Sequence, residues 1–468
     1  MSTLLRWFNS KIAQEDNASQ ARFYHQVLNW LMLAGIIILT LNSARIVYQS
    51  IYSEGVFVDQ IYYTRFHYDV ILSLTPAGMG ISGINTYAAA SGFAGTGLGA
   101  LMFVLGGDLL HSRVAIAAVD TVIAVLIGVA LFRRWSFGLV PAVLGATLLW
   151  GLTVTTPFAL PYWHGFIFNL GELPGAILIA LGLVACARRP HLAAFCWGLA
   201  AWHTKPSYFP VAVLLTLASA SSIPGALHDK TRRLATLTSM FVLPLAMWLM
   251  FAAIRFGIAD ADNQFSSIVG FLGVRSNSHQ SFMPLSQLSK TGNPLSFSHL
   301  ISRLNDPHLE WSQSFITFGT KLKVVALSLG SVVITVAGLA SQRPADRRTF
   351  TTLASCALSV MVMAYTYWWF MLHPTMWIRH FQPAMYIGLG LWVFWLLQIS
   401  LRFSLFDRPF FRWGAIAFAT TVVVWQAYFS LGISTRISDF PTEWRCPIDS
   451  FVSGDGSLFP GTLICRHD

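Results

Sequence analysis

Apolar runs of about 20 residues, separated by short clusters of arginine, constrain this chain more than any other feature. A hydrocarbon core ~30 Å thick takes about 20 residues of helix to cross. Lipid offers the backbone no hydrogen bonds, so runs of this kind must be helical. They do not alternate in the ten-residue pattern of an outer-membrane barrel. Only 11% of the 468 residues are charged and 55% are hydrophobic, against roughly 25% charged in a soluble domain. The sequence therefore predicts an all-α, polytopic integral membrane protein.

The net charge of +10 has its source in the arginine clusters. They lie between apolar runs, where they act as positive-inside signals. No basic face with interleaved aromatics is present, so nucleic acid is not an expected partner. Residues 1–26 read as a polar, mildly amphipathic cytoplasmic segment. The span after them is too long for a cleaved signal sequence.

Sidedness follows from the clusters. Arg6, Lys11 and Arg22 put the N-terminus inside, and Val27–Tyr48 crosses outward. Residues 49–113 carry no basic cluster and read as an external loop with interfacial or re-entrant helices, including the Gly/Ala-rich run Ala88–Gly107. Val114–Phe132 returns to Arg133 and Arg134, and Phe137–Thr155 crosses out to an external loop over 156–170. Gly171–Ala187 returns to Arg188 and Arg189. Residues 191–220 hold two apolar pieces too short for an upright crossing, broken at His203-Thr-Lys-Pro206. Leu234–Phe251 leads out to a polar loop over 257–321, Val324–Ala340 returns to Arg343, Arg347 and Arg348, and Phe350–Leu372 leads to the external loop 373–383. Met385–Ile399 returns to Arg402, Arg408 and Arg412, and Trp413–Ile433 leaves residues 434–468 as an external tail. The expectation is about 11 spans in a transmembrane domain over 27–433, with the N-terminus inside and the C-terminus outside.

Cys186, Cys196 and Cys356 fall in or beside apolar runs, where a small buried hydrophobe is expected. Cys446 and Cys465 lie in the external tail, and an oxidising compartment predicts a disulfide between them.

Charges within a span or at its mouth are costly, so in the membrane they are functional candidates by default. On the outer side these are few and come from distant stretches: Glu54, Asp59, His67 and Asp69; His164 and Glu172; His203 and Lys205; Arg255; and His373, Arg379 and His380. Asp59, in Val58-Asp-Gln-Ile-Tyr-Tyr63, suits a general base if partly buried. Its alternative is a helix cap or loop carboxylate. Glu172 opens a helix, where a carboxylate complements the dipole. Lys205 at a helix break pairs with a lipid phosphate or snorkels to the interface. Arg379 is placed like a phosphate clamp beside aromatics, or as an interfacial anchor. Tyr63, Asp69, His203 and His380 complete the candidate substrate-binding set. The aromatics of Tyr162–Trp163 and Tyr365–Phe370 read as interface belts. No His/Cys set has zinc spacing, and no metal or other cofactor is expected to be required; a divalent ion is the lesser alternative.

Three features together resemble the GT-C superfamily of polytopic glycosyltransferases. An acidic residue follows the first span, here Asp59. A Gly-Leu-Ala-x-x-x-x-Lys-Pro element joins two short helices, here Gly198 to Pro206, similar to bacterial mannosyl- and arabinosyltransferases. An Arg sits in a late external loop, here Arg379 before Phe381 and Pro383. The resemblance implies a bacterial inner-membrane enzyme with its active site facing the periplasm. Its donor would be a polyprenyl-phosphate-linked sugar and its acceptor a glycan, lipid or protein. It further implies inverting transfer, with Asp59 taking the acceptor proton and Lys205 and Arg379 stabilising the leaving phosphate. Gln60 stands where many members carry a second acid, which favours a metal-independent site. Many members also carry a large soluble C-terminal domain, so acceptor recognition would fall to the loops, chiefly 257–321. The competing readings are an O-antigen ligase or polymerase using diphosphate-linked glycans, and a lipid-linked-sugar transporter.

Overall fold

A computed structural model of the chain describes residues 171–205, 207–222, 224–256, 318–342, 349–372 and 378–403. Isolated helical or strand positions are described elsewhere. Asp59, Tyr63, Asp69 and Cys465, together with most of the first loop and of the tail, lie outside the described residues.

The described chain is almost wholly helical. Helices α1 (Glu172–Ala185), α2 (Pro190–His203) and α3 (Tyr208–Ser221) have 14 residues each. They are followed by α4 (Leu227–Phe256), α5 (Phe318–Ser341), α6 (Thr349–Tyr367) and α7 (Ile378–Arg402). A five-residue π-helix, Trp368–Leu372, continues α6. Among the described residues, four stretches are long and apolar enough to cross a membrane: Leu227–Phe251, Lys321–Ser341, Thr349–Met371 and Phe381–Arg402. The chain is thus a helical membrane protein. Val333, Val360 and Met250 are exposed on these helices, as lipid-facing side chains are.

Two local features set the short helices. Pro190 opens α2, where its missing N–H is not needed. Gly171 precedes α1 with φ 119°, a left-handed conformation that glycine tolerates. The expected crossing Gly171–Ala187 is instead the 14-residue α1, about 21 Å long at 1.5 Å per residue and shorter than the hydrocarbon core. The break expected at His203-Thr-Lys-Pro206 is present between α2 and α3. The three short helices therefore run up, down and up, with short turns between them. Helix α4 is longer than the expected Leu234–Phe251 because it takes in Lys230, Arg232 and Arg233 at its start.

Tryptophan packs on glycine throughout the bundle. A Cβ on Gly182 would lie 2.2 Å from the Trp197 indole nitrogen, and one on Gly330 would lie 2.0 Å from the Trp392 ring. The Trp197 indole N–H donates to the Ile179 carbonyl at 3.3 Å, and that of Trp392 donates to Leu327 at 3.3 Å. Between α5 and α6 runs a seam of hydroxyls. Ser328 pairs with Thr366, and Thr335 with Ser359 at 2.8 Å. Interhelical bonds of this kind contribute about 0.6 kcal/mol each in a membrane bundle.

Cys186 and Cys196 are buried as expected, whereas Cys356 is exposed on the outward face of α6. The belt expected over Tyr365–Phe370 is corrected for three of its rings: Tyr365, Trp369 and Phe370 are 4%, 0% and 2% exposed and pack the bundle core, whereas Tyr367 is exposed.

One further pairing links distant parts of the chain. Strand β1 (Val56–Phe57) runs antiparallel to β2 (Arg445–Cys446), with Val56 opposite Cys446 and Phe57 opposite Arg445.

Candidate functional site

The short turns give the bundle two chemically different ends. Arg188 and Arg189 follow α1, Lys230, Arg232 and Arg233 lie in the first turns of α4, and Arg402 closes α7. At the opposite end lie the start of α1, the α2–α3 break, the start of α5, the end of α6 and the start of α7.

Buried polar groups gather at this second end. Glu172 is 1% exposed and Lys205 7%. The Lys205 ammonium lies 3.2 Å from the Glu172 carboxylate. Glu172 is the first residue of α1, so its carboxylate also meets the positive end of the helix dipole. Lys205 reaches it because the chain leaves α2 after His203. The close approach needs Gly171, since a Cβ there would lie 2.8 Å from the Thr204 carbonyl group. The Tyr208 hydroxyl donates to the Glu172 carbonyl. Its ring lies so close to Gly175 that a Cβ there would sit 2.1 Å from it. Thr204 donates to the Ala200 carbonyl and closes the end of α2. One ion pair and a set of short-range contacts thus tie α1, α2 and α3 together at this end.

His203, the other expected ligand here, turns towards α4. Its Nε2 lies 3.1 Å from the Pro244 carbonyl, and its ring packs edge-on against Trp248. A carbonyl only accepts, so Nε2 carries the proton. The neighbouring Trp202 donates to the Phe241 carbonyl at 3.0 Å. Both acceptors lie in the stretch of α4 around Pro244, where the proline removes a helix hydrogen bond.

Arg379 and His380 fall in the first turn of α7, at the same end of the bundle as Lys205. Their side chains, like that of Cys446, lie outside the described residues. The structure therefore brings Glu172 and Lys205 into contact, sets the backbone of Arg379 and His380 at their end of the bundle, and commits His203 to α4.

Several residues at this end were not singled out by the sequence. Lys321, 3% exposed, opens the apolar stretch of α5, whereas hydropathy places it at the end of the polar loop 257–321. Tyr365, 4% exposed, lies in the last turn of α6 at this end. Gln382, 5% exposed, lies one turn before Tyr386 on the same face of α7. The π-helix ends α6 beside them, and such π-segments recur at functional sites. Among the described residues no cluster of three or more His, Cys, Asp or Glu side chains could hold a metal ion.

Searches against known protein families, curated proteins and solved structures find no match to this chain.

Proposed function

We propose that the chain is a membrane glycosyltransferase, moving a sugar from a polyprenyl-phosphate-linked donor to a glycan, lipid or protein acceptor with inversion. The observation that carries this reading is the buried Glu172–Lys205 pair at a helix break, at the end of the bundle opposite Arg188, Arg189, Arg232, Arg233 and Arg402. A charged pair in a membrane bundle costs desolvation, and a role at a substrate site accounts for keeping it. By the positive-inside rule the arginine end is cytoplasmic, so the pair faces the outer side of an inner membrane.

An ammonium has three N–H donors. Lys205 can therefore keep its contact with Glu172 and still donate to a phosphate oxygen. Glu172 acts as the group that aims it. Arg379, in the first turn of α7, brings a guanidinium and a helix N-terminus to the same end. In the reaction Asp59 removes the proton from the acceptor hydroxyl. The resulting nucleophilic oxygen forms a bond to the anomeric carbon from the face opposite the phosphate. The anomeric carbon–oxygen bond to polyprenyl phosphate breaks, and Lys205 and Arg379 stabilise the charge left on that phosphate. The chemistry proposed needs no metal.

The test uses membranes containing the expressed protein, supplied with radiolabelled polyprenyl-phosphate mannose, glucose, galactose or arabinose. Transfer of label into a water-soluble, lipid or protein fraction is the expected result. Asp59→Asn is expected to abolish that transfer while inserting normally. Near wild-type transfer by Asp59→Asn would remove the base role.

A further inference from the structure

Three arginines from two elements converge on the turn between α1 and α2. Backbone bonds from the Arg188 and Arg189 N–H groups to the Ala185 carbonyl, at 3.0 and 2.8 Å, fix that turn. Beside it the Cys186 thiol donates to Ser219 at 3.4 Å, which ties the turn to the end of α3. Helix α4 packs along α2 in a constant register. A Cβ on Gly198 would sit 2.2 Å from the Phe241 carbonyl oxygen, and one turn nearer the arginine end Ala194 packs with Leu237, both fully buried. A further turn on, the same offset sets Arg233 opposite Pro190, the first residue of α2.

Arg188 and Arg189 are exposed there, and Arg233 is half-buried. The buried Arg233 Nε has no hydrogen-bond partner among the described residues. Lys230 lies one turn before Arg233, and Arg232 adjoins it. Among the described residues of α1 to α4 this end carries one carboxylate, Asp229, which lies against Gly225. A sidedness signal needs only the number of cations on one side of the membrane and gives no reason to gather them at one corner. Exposed apolar surface begins at the same level. Leu192, three residues after Arg189, is 42% exposed, and Leu217, one turn from the end of α3, is 40% exposed.

We propose that this corner binds the headgroup of an anionic phospholipid, with Arg188, Arg189 and Arg233 on its phosphodiester and its acyl chains along the apolar helix faces. The site is separate from the transferase reading, which concerns the opposite end of the bundle. A guanidinium is always charged, and its planar fork matches two phosphate oxygens. Basic corners between membrane helices favour anionic headgroups for this reason. The apolar surface beside the cations selects a lipid over a soluble phosphate.

The experiment uses the full-length protein in nanodiscs of phosphatidylcholine titrated with phosphatidylglycerol, with retained lipid counted by native mass spectrometry. Phosphatidylcholine carries the same phosphodiester with its charge cancelled by choline. Wild type should retain phosphatidylglycerol at least about 10-fold more strongly than phosphatidylcholine. The triple variant Arg188→Gln, Arg189→Gln, Arg233→Gln should lose that preference. The double variant Arg402→Gln, Arg408→Gln, which removes charge elsewhere, should keep it. Arg233→Lys, which retains the charge and loses the fork, should fold as wild type and weaken retention by about 3- to 10-fold. Equal retention of the two lipids by wild type overturns the proposal. So does an unchanged preference in the triple variant or in Arg233→Lys. Equal loss in the double variant reduces the corner to general attraction by a basic end and overturns it as well. Displacement of phosphatidylglycerol by an equal concentration of glycerol phosphate would assign the corner to a soluble ligand, against the proposal.

Discussion

Lys205 and Glu172 are each close to fully buried, and each is the other's compensation. Removing one takes an ion-pair partner from a buried charge, at a cost of up to about 3–5 kcal/mol. Replacing both by apolar groups of similar volume restores most of that stability. Glu172→Leu and Lys205→Met should therefore each lower the melting temperature in detergent, and the double variant should recover it. The double variant should still be inactive, which separates a phosphate-handling role from a purely structural one. Activity retained in the double variant would assign the pair to folding alone. Glycines give a second contrast. Gly182→Ala must displace the Trp197 indole and should cost about 1–3 kcal/mol. Gly390→Ala meets nothing within 4 Å inside α7 and should be neutral or stabilising by up to about 1 kcal/mol. Thermal melts of the two variants check this directly.

At the scale of elements, the α2–α3 break was legible because Lys205-Pro206 interrupts a continuous apolar run, and the residue before a proline is biased out of the helical region. The length of α1 was not. Gly171–Ala187 is apolar enough to span, but hydropathy says nothing about Gly171 adopting φ 119° against Thr204 or about Cys186–Arg189 turning the chain. The burial of Tyr365, Trp369 and Phe370 was missed for a related reason. Aromatics near a span end suit an interface belt and a bundle core equally, and only the packing of α6 on α7 decides. Lys321 was assigned to a loop because a charged residue beside an apolar run ordinarily marks its edge. The Glu172–Lys205 contact joins residues 33 positions apart and has no local signal at all. Outward helix faces yield their own prediction. Cys356 is exposed on α6 while Cys186 and Cys196 are buried. A membrane-permeant maleimide should label Cys356 in the folded protein and reach the other two only after denaturation. Mass spectrometry of the labelled peptides measures the difference, and rapid labelling of Cys196 would contradict the packing of α2.

For the molecule as a whole, the arginine clusters expected on one side of the membrane fall, in and beside the described helices α1, α4 and α7, at one end of the bundle. The β1–β2 pairing joins residues 56–57 to 445–446, two segments that the same charge rule expects on the outer side. Cys446 and Cys465 should then form a disulfide. A membrane-impermeant maleimide-polymer should shift neither cysteine before reduction and both after it; shifts before reduction would remove the bond and weaken the assigned sidedness. In the proposed reaction Lys205 holds a lipid-linked phosphate at the end of the bundle opposite Arg188, Arg189, Arg232, Arg233 and Arg402. Equilibrium binding of radiolabelled farnesyl phosphate to the wild-type protein and to Lys205→Gln in nanodiscs tests it most directly. Saturable binding weakened at least about 10-fold by the substitution is the predicted result, a difference of about 1.4 kcal/mol. Equal binding by a folded Lys205→Gln variant, or no binding by wild type, would contradict it.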